Sequence, residues 1–430
     1  MVNKLLHNNF KKFKKIFIEP SGNFIFLFFV ALLLFLTIKI SCAGLNADEY
    51  SYYNLLRSLI DYGDLTHLPS ELSRFIYLAQ PGYPIFTYPI YLLTNEVYTV
   101  FNISLKEIDK DIWPINYTLE QLYDKEKFYD STNKLLDGRL IVSLYVVSIL
   151  FFLIGLYFLS RTLQNKLLLF LFFSSPGLVA HFLYNFTYPT FVVIGLNSLI
   201  VFLWVNSANK NNYFLLGFIQ GLAGLVRYST LIFLPFFILL LLQEKKKKEA
   251  LFLILGFICV AWVYLYINYV FRENPIDLGQ NFIIERSIVS TINSDLLESI
   301  IKLTNLQYIL VIPAGFLSFF YIKKMNSKFK ILKQTMLVYF LIFFLILSGS
   351  YYYSALNLTY DTSRYFSELL PISLLSIDKL PTRIQRLVLF GILILTPFSY
   401  FSFPWLDNGG NSCISSILGN LGHMFGLVPE

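Results

Sequence analysis

Charged side chains are scarce in this chain: Asp, Glu, Lys and Arg make up 14% of its 430 residues, whereas hydrophobic residues make up 56%. A soluble globular protein needs a larger charged share to cover its surface, so the composition excludes that class. Apolar runs of about 20 residues, enough to cross about 30 Å of hydrocarbon, recur along the chain. We therefore expect a single all-α, polytopic membrane domain over residues 1–430, with about eleven spans. The predicted spans lie near 22–40, 139–160, 167–184, 187–206, 212–228, 229–243, 250–271, 304–322, 334–350, 365–378 and 387–404.

Cysteine is also rare, and three scattered cysteines predict neither a disulfide framework nor a zinc site. Acidic residues are missing altogether between Asp137 and Glu244. They are concentrated instead between residues 41 and 138, which contain 14 of the 27 Asp and Glu. This polar stretch, placed directly after the first span, is predicted to be a large loop outside the membrane.

The distribution of Lys and Arg predicts the orientation of the chain, because short cytoplasmic loops collect positive charge. With a cytoplasmic N-terminus, 20 of the 34 basic residues fall on the cytoplasmic side. The net charge of +7 is then a topology signal, and we expect no nucleic-acid partner. The outer segments under this orientation are the first loop 41–138, a second loop 272–303, a third loop 351–364 and the C-terminal tail 405–430.

Two patterns divide the first half of this outer loop. Residues 50–62 have apolar side chains at helical spacing, which predicts a helix lying in the membrane interface. Residues 75–93 are rich in Tyr, Phe and Pro, and the prolines are expected to break regular helix and leave aromatic rings along the membrane surface. Those rings suit either an ordinary aromatic belt or a surface on which sugars stack.

Several short motifs follow one another along the chain: Asp48-Glu49-Tyr50 after the first span, Arg57-Ser58-Leu59, Pro81-Gly82-Tyr83-Pro84, Arg139-Leu140, Ser175-Pro176, the run Gly217 to Arg227, and Arg364-Tyr365 before Pro371. In this order they resemble the C-type (GT-C) membrane glycosyltransferases, in the branch that contains protein O-mannosyltransferases and the lipid A aminoarabinose transferase. The resemblance implies a GT-C-like helical bundle whose active site lies in the large extracytoplasmic first loop. It also implies a location in the cytoplasmic membrane of a bacterium or archaeon.

The resemblance implies that the enzyme transfers a hexose or pentose from a polyprenyl-phosphate carrier to a glycan, lipid or protein acceptor. Asp48 matches the position of the family's base, and Glu49 would orient the sugar or assist a metal ion. Because a sugar phosphate departs with extra negative charge, such an enzyme also needs cationic groups. An acid pair that only anchors the loop remains the alternative for Asp48 and Glu49.

Arginine suits the phosphate because its guanidinium is always charged and binds oxygens in bidentate fashion. Arg227 and Arg364 each stand at the predicted outer end of a span, and Tyr365 adjoins the second of them. We expect these three residues to bind the donor phosphate, although both arginines would also serve as membrane-boundary anchors. We expect Tyr50, Arg57 and Tyr83 to contact the rest of the substrate.

Two departures from the family bear on a metal ion. An acid-Lys pair of the family reads Ala79-Gln80 here, and the Asp expected near the outer start of the fourth span is missing. No metal ligand can therefore be assigned, and a divalent metal cofactor stays open.

Two other functions compete with this prediction. A surface-polysaccharide polymerase or ligase shares the size and aromatic content, but it would carry its large loop later in the chain. A lipid or sugar transporter would need ionisable residues near mid-membrane. The predicted spans offered only His181 and a few Asn for that purpose.

Overall fold

The computed structural model describes residues 47–63, 65, 81–100, 138–172, 175–178, 189–207, 210–272, 307, 309–322, 325–349 and 366–402. Within these ranges all regular structure is helical, as expected of an all-α membrane protein. The helices are α1 (Ala47–Asp61), α2 (Gly82–Val100), α3 (Gly138–Thr162), α4 (Thr190–Asn206), α5 (Lys210–Val226), α6 (Phe233–Gln243), α7 (Lys247–Arg272), α8 (Val311–Tyr321), α9 (Ser327–Gly349), α10 (Leu370–Asp378) and α11 (Thr382–Ser402). Two 3-10 helices, Lys166–Phe172 and Tyr228–Ile232, follow α3 and precede α6.

Among the described residues, three helices are long and apolar enough to cross a membrane, over Arg139–Thr162 in α3, Lys247–Ile267 in α7 and Thr382–Ser399 in α11. They differ in how much of each is covered by protein. Half of the span in α3 is buried, whereas only 22% of the span in α7 and 17% of that in α11 are buried. The exposed apolar side chains on α7 include Trp262 and Tyr266, which form a surface suited to contact with lipid.

Glycine brings the central helices into close contact. A Cβ on Gly217 of α5 would overlap the carbonyl oxygen of Leu253 on α7, and one on Gly256 of α7 would overlap that of Phe214. Because both helices lack a side chain at their crossing, their backbones touch directly, as is common between membrane helices. Gly221 of α5 likewise abuts Val260 of α7.

Helices α8 and α10 are short and packed against each other. They have 11 and 9 residues, or about 16 Å and 14 Å at 1.5 Å per residue, so neither crosses the hydrocarbon alone. Gly315 of α8 leaves no room for a Cβ beside Ser373 of α10, and the Ser376 hydroxyl donates to the Gly315 carbonyl at 2.6 Å. Within the predicted spans 304–322 and 365–378, α8 begins at Val311 and α10 begins at Leu370.

Two further expectations need correction. The prolines at 75–93 do not break the helix, because α2 is continuous over Gly82–Val100 with Pro84 in its first turn and Pro89 inside it. In the first turn the missing N–H costs nothing, and at Pro89 the helix continues although one backbone hydrogen bond is lost. The predicted span 167–184 is not one α-helix either: its described part is a 3-10 helix followed by a short turn at 176–178. The predicted helix at 50–62 is confirmed by α1.

Three polar contacts tie helix ends together at one end of the bundle. Asp378 at the end of α10 accepts hydrogen bonds from the backbone N–H groups of Gln164 and Asn165, at 2.8–3.0 Å. The Lys328 ammonium of α9 donates to three carbonyls at the end of α4, where a cation offsets the helix dipole. Glu244, after α6, accepts a hydrogen bond from Ser327 of α9. The predicted orientation puts all these segments on the cytoplasmic side.

Candidate functional site

The candidate site lies where the chain leaves α5. Arg227 has an extended backbone (φ −159°, ψ 121°) between α5 and the following 3-10 helix. Two hydrogen bonds hold this interruption: Gln220 Nε2 donates to the Thr230 carbonyl at 2.6 Å, and Thr230 Oγ1 donates to the Arg227 carbonyl at 2.8 Å. The interruption therefore has a fixed geometry, and it directs the Arg227 side chain into the bundle.

Arg227 forms a buried ion pair with Glu368. Its Nη1 lies 2.5 Å from Glu368 Oε1, and the two side chains are 9% and 0% exposed. An arginine anchoring the membrane boundary would extend its guanidinium toward water. The burial of Arg227 argues against that alternative.

The carboxylate of Glu368 accepts two further hydrogen bonds through its other oxygen. Ser229 Oγ donates to Oε2 at 2.6 Å and the Tyr339 hydroxyl donates to it at 2.9 Å. The Glu368 backbone carbonyl accepts a hydrogen bond from Asn197 Nδ2 at 3.0 Å. Residues from α4, the α5–α6 connection and α9 thus converge on the turn that precedes α10.

Burying this cluster costs free energy in any protein core, and it costs more in a membrane domain. Removing two charges from water costs several kcal/mol per ion, which the pair recovers only with good geometry and added hydrogen bonds. Ionisable residues inside membrane domains are rare and are functional candidates by default. Two buried acceptors near the cluster, Asn197 Oδ1 and Gln220 Oε1, lack partners among the described residues, and such atoms call for an explanation.

The first loop docks beside this cluster. Gly82, the first residue of α2, lies so close to the backbone of Leu225 and Val226 that an added Cβ would be only 2.5 Å from the Leu225 carbonyl. The next residue, Tyr83, meets Tyr52 of α1 edge to face with ring centroids 5.4 Å apart. Contacts therefore run from α1 through the start of α2 to the residues just before Arg227.

The predicted substrate and base residues on α1 and α2 are placed as follows. Asp48, Glu49 and Tyr50 lie in the first turn of α1, and their side chains fall outside the described part of the chain. Arg57 pairs with Asp61 at 3.2 Å on the exposed side of the same helix. Tyr83 is fully buried, and its hydroxyl contacts the Leu144 carbonyl at 3.0 Å and Ser148 Oγ at 2.8 Å on α3. Tyr83 thus fixes α2 against α3.

Of the three predicted phosphate ligands, the structure describes Arg227 alone, since Arg364 and Tyr365 lie outside the described residues. Glu368 follows Arg364 by four positions, so the contact with Glu368 connects Arg227 to the same short segment of sequence. Arg139, at the start of α3, donates to Asn95 Oδ1 at 2.8 Å and ties α3 to α2.

Sequence reasoning missed Glu368. The statement that the spans offer only His181 and a few Asn as mid-membrane candidates was incomplete, because Glu368 lies inside the predicted span 365–378 and is fully buried. Its signal was visible: an isolated acid within an otherwise apolar run. Tyr339 and Ser229 carried no comparable signal, since single hydroxyls are common in membrane helices.

A metal site does not emerge from the part of the chain that is described, which holds no group of three or more His, Cys, Asp or Glu side chains. Comparisons with protein-family models, with curated proteins and with solved structures find no match to this chain. Any assignment of function therefore depends on the residues and the geometry above.

Proposed function

We propose that this protein is a membrane glycosyltransferase that moves a sugar from a polyprenyl-phosphate carrier to an acceptor outside the membrane. The observation that supports it most is the buried Arg227–Glu368 pair, located where the chain between α5 and α6 is interrupted and where α2 docks beside it. A buried guanidinium at such an interruption suits a lipid-linked phosphate, because lipid-linked substrates bind at membrane depth.

In the proposed reaction Asp48 takes the proton of an acceptor hydroxyl, whose oxygen attacks the anomeric carbon of the donor. The bond from that carbon to the phosphate oxygen breaks, the carbon is inverted, and the carrier leaves as a phosphate monoester. Arg227 and Arg364 offset the charge that develops on the leaving phosphate. In this proposal Tyr365 contacts the donor phosphate and Glu49 orients the sugar or assists a metal ion. Tyr50 contacts the rest of the substrate.

The finer architecture belongs to the same proposal. The chain is assigned about eleven spans, a cytoplasmic N-terminus and an extracytoplasmic loop over residues 41–138 that contains α1 and α2. Under this orientation the Arg227–Glu368 pair lies toward the outer half of the bilayer. Glu368 is ten residues, or about 15 Å of helix, from Asp378 at the opposite end of α10.

The test is sugar transfer in proteoliposomes made with the purified chain, polyprenyl-phosphate sugars labelled in the sugar, and extracted envelope acceptors. We expect label to move to the acceptor with the wild-type chain and to fall at least about 100-fold with Asp48→Asn, because a general base contributes about 10²–10⁴-fold. Glu96→Gln is the control: it removes an exposed acid from α2, in the same loop, and should leave transfer unchanged. Full transfer by a folded Asp48→Asn variant would reject the base assignment.

One observation favours a transporter as the second candidate. Glu368 is an ionisable residue within the membrane domain beside interrupted helices, which is how transporters build their binding sites. Exchange of labelled polyprenyl-phosphate sugar across vesicles that contain no acceptor would support transport. Transfer without such exchange would support the glycosyltransferase.

A further inference from the structure

The two oxygens of the Glu368 carboxylate have separate partners. Oε1 faces Arg227 at 2.5 Å, whereas Oε2 accepts from Ser229 at 2.6 Å and from Tyr339 at 2.9 Å. Loss of the contact with Arg227 would therefore leave Glu368 with two hydrogen bonds. The pair can open without stranding a bare carboxylate in the protein interior, where an unpartnered charge is strongly disfavoured.

The proposed reaction creates a need for such an opening. The donor is a phosphate diester with one negative charge, and the departing carrier is a monoester with about 1.5–2 negative charges at neutral pH. A fixed guanidinium would therefore hold the product more tightly than the substrate. An enzyme with this chemistry needs a means of releasing the monoester.

We propose that Glu368 is an internal anion that exchanges with the carrier phosphate on Arg227. During binding the phosphate displaces Oε1 from the guanidinium, and Ser229 and Tyr339 keep the carboxylate in place through Oε2. After transfer Glu368 returns to Arg227 and assists release of the monoester. This role rests on the proposed function for its biological meaning, although the exchange itself is a property of the anion site.

Binding of farnesyl monophosphate to the purified chain in detergent, followed by calorimetry, tests the exchange. Glu368→Gln removes the competing charge but keeps an acceptor for Ser229 and Tyr339, so we expect affinity to rise about fivefold or more, a size typical of coupled binding. Tyr339→Phe has the opposite expected effect. With one donor to Oε2 lost, Glu368 depends more on Arg227, and affinity for the phosphate should fall.

Controls isolate the charge exchange. Farnesol, which lacks the phosphate, should bind all variants alike. Asp378→Asn removes another buried acid from the same segment, one that contacts backbone N–H groups at the far end of α10, and should leave phosphate affinity unchanged. A change with Asp378→Asn equal to that with Glu368→Gln would overturn the proposal.

Weaker phosphate binding by Glu368→Gln would also overturn it, since Glu368 would then serve to position Arg227. If Glu368→Gln does not fold, Tyr339→Phe and Ser229→Ala decide the matter: both must weaken phosphate binding, and unchanged affinity in both rejects the exchange. The binding assay needs no sugar transfer. Loss of transfer activity with this binding pattern intact would therefore reject the proposed function alone.

Discussion

Arg227 Nη1 and Glu368 Oε1 lie 2.5 Å apart although 141 positions separate the two residues in the chain. The contact joins the end of α5 to the turn before α10. Because both side chains are almost fully buried, the pair affects stability as well as any chemistry at this position.

Removing one member of this pair should lower the free energy of unfolding more than removing the charges of both members. Arg227→Met removes the counter-charge of Glu368, which keeps only its hydrogen bonds from Ser229 and Tyr339, and should lower the free energy of unfolding by about 3–5 kcal/mol. Combining it with Glu368→Gln removes that charge and keeps an acceptor for Tyr339, so most of the loss should be recovered. Thermal or denaturant unfolding in detergent measures both effects.

The exposed pair Arg57–Asp61 provides the comparison. Its side chains are 40% and 46% exposed, so Arg57→Ala should cost less than about 1 kcal/mol. If the double variant at Arg227 and Glu368 recovers stability and also keeps full sugar transfer, the pair has a structural role only.

Alanine at two helical glycines should change stability in opposite directions. At Gly217 a Cβ would overlap the Leu253 carbonyl, so Gly217→Ala should push α5 away from α7 and cost about 1–3 kcal/mol or more. At Gly391 of α11 nothing lies within 4 Å, and alanine should stabilise the helix by about 0.5–1 kcal/mol. Equal unfolding temperatures for the two variants would contradict the close packing of α5 on α7.

A variant of Tyr83 tests whether this predicted substrate residue has a structural role instead. Tyr83→Phe removes a hydroxyl that contacts Leu144 and Ser148, so it should lower the free energy of unfolding by about 1–2 kcal/mol. Tyr266→Phe, on the exposed face of α7, should have almost no effect. A raised KM for the donor, with no loss of stability, would instead favour direct contact between Tyr83 and the substrate.

The contact between the α6–α7 turn and α9 should make stability depend on pH. Hydrogen bonds from Lys246 and then Ser327 lower the pKa of Glu244 below its ordinary value near 4.5. The stabilisation is therefore present above pH 4.5 and is lost as the pH falls through the lower, folded-state pKa. Glu244 in turn raises the pKa of Lys246 above 10.5, so that contribution is present below pH 10.5 and is lost above it.

Ser327→Ala should reduce the stability difference between pH 7 and pH 3 by less than about 1 kcal/mol, because the site is partly exposed. Unfolding curves at the two pH values give this difference. Ser376→Ala, at a buried hydroxyl far from Glu244 in sequence, should lower stability at both pH values alike. A pH dependence unchanged by Ser327→Ala would mean that the contact with Glu244 contributes nothing.

The parts of the fold that the sequence predicts are those set by local patterns. Helix α1 follows from the spacing of apolar residues at 50–62, and the close approach at Gly217 follows from a glycine in an apolar run. The prediction that proline breaks the helix within 75–93 is wrong. Pro84 falls in the first turn, and burial of Tyr83 stabilises the rest of α2, neither of which a propensity argument can weigh.

Of the Arg227–Glu368 pair at the candidate site, only the arginine could be predicted from the sequence. Arg227 could be singled out as a charge at the end of an apolar run. Its partner could not be assigned, because pairing residues 141 positions apart requires knowing which helices are neighbours. An isolated acid such as Glu368 is nevertheless recognisable in the sequence as a candidate functional residue, since a charge in an apolar run is unusual wherever its partner lies.

The shortness of α8 and α10 bears on how the protein is made. A helix of 9 or 11 residues is too short to be held in a bilayer as an independent span, whatever its composition. Since Ser376 donates to the carbonyl of Gly315, each of these helices completes the packing of the other. The earlier one leaves the ribosome about sixty residues before its partner. Under the proposed membrane topology, α8 therefore needs shelter from other helices or from the insertion machinery until α10 arrives.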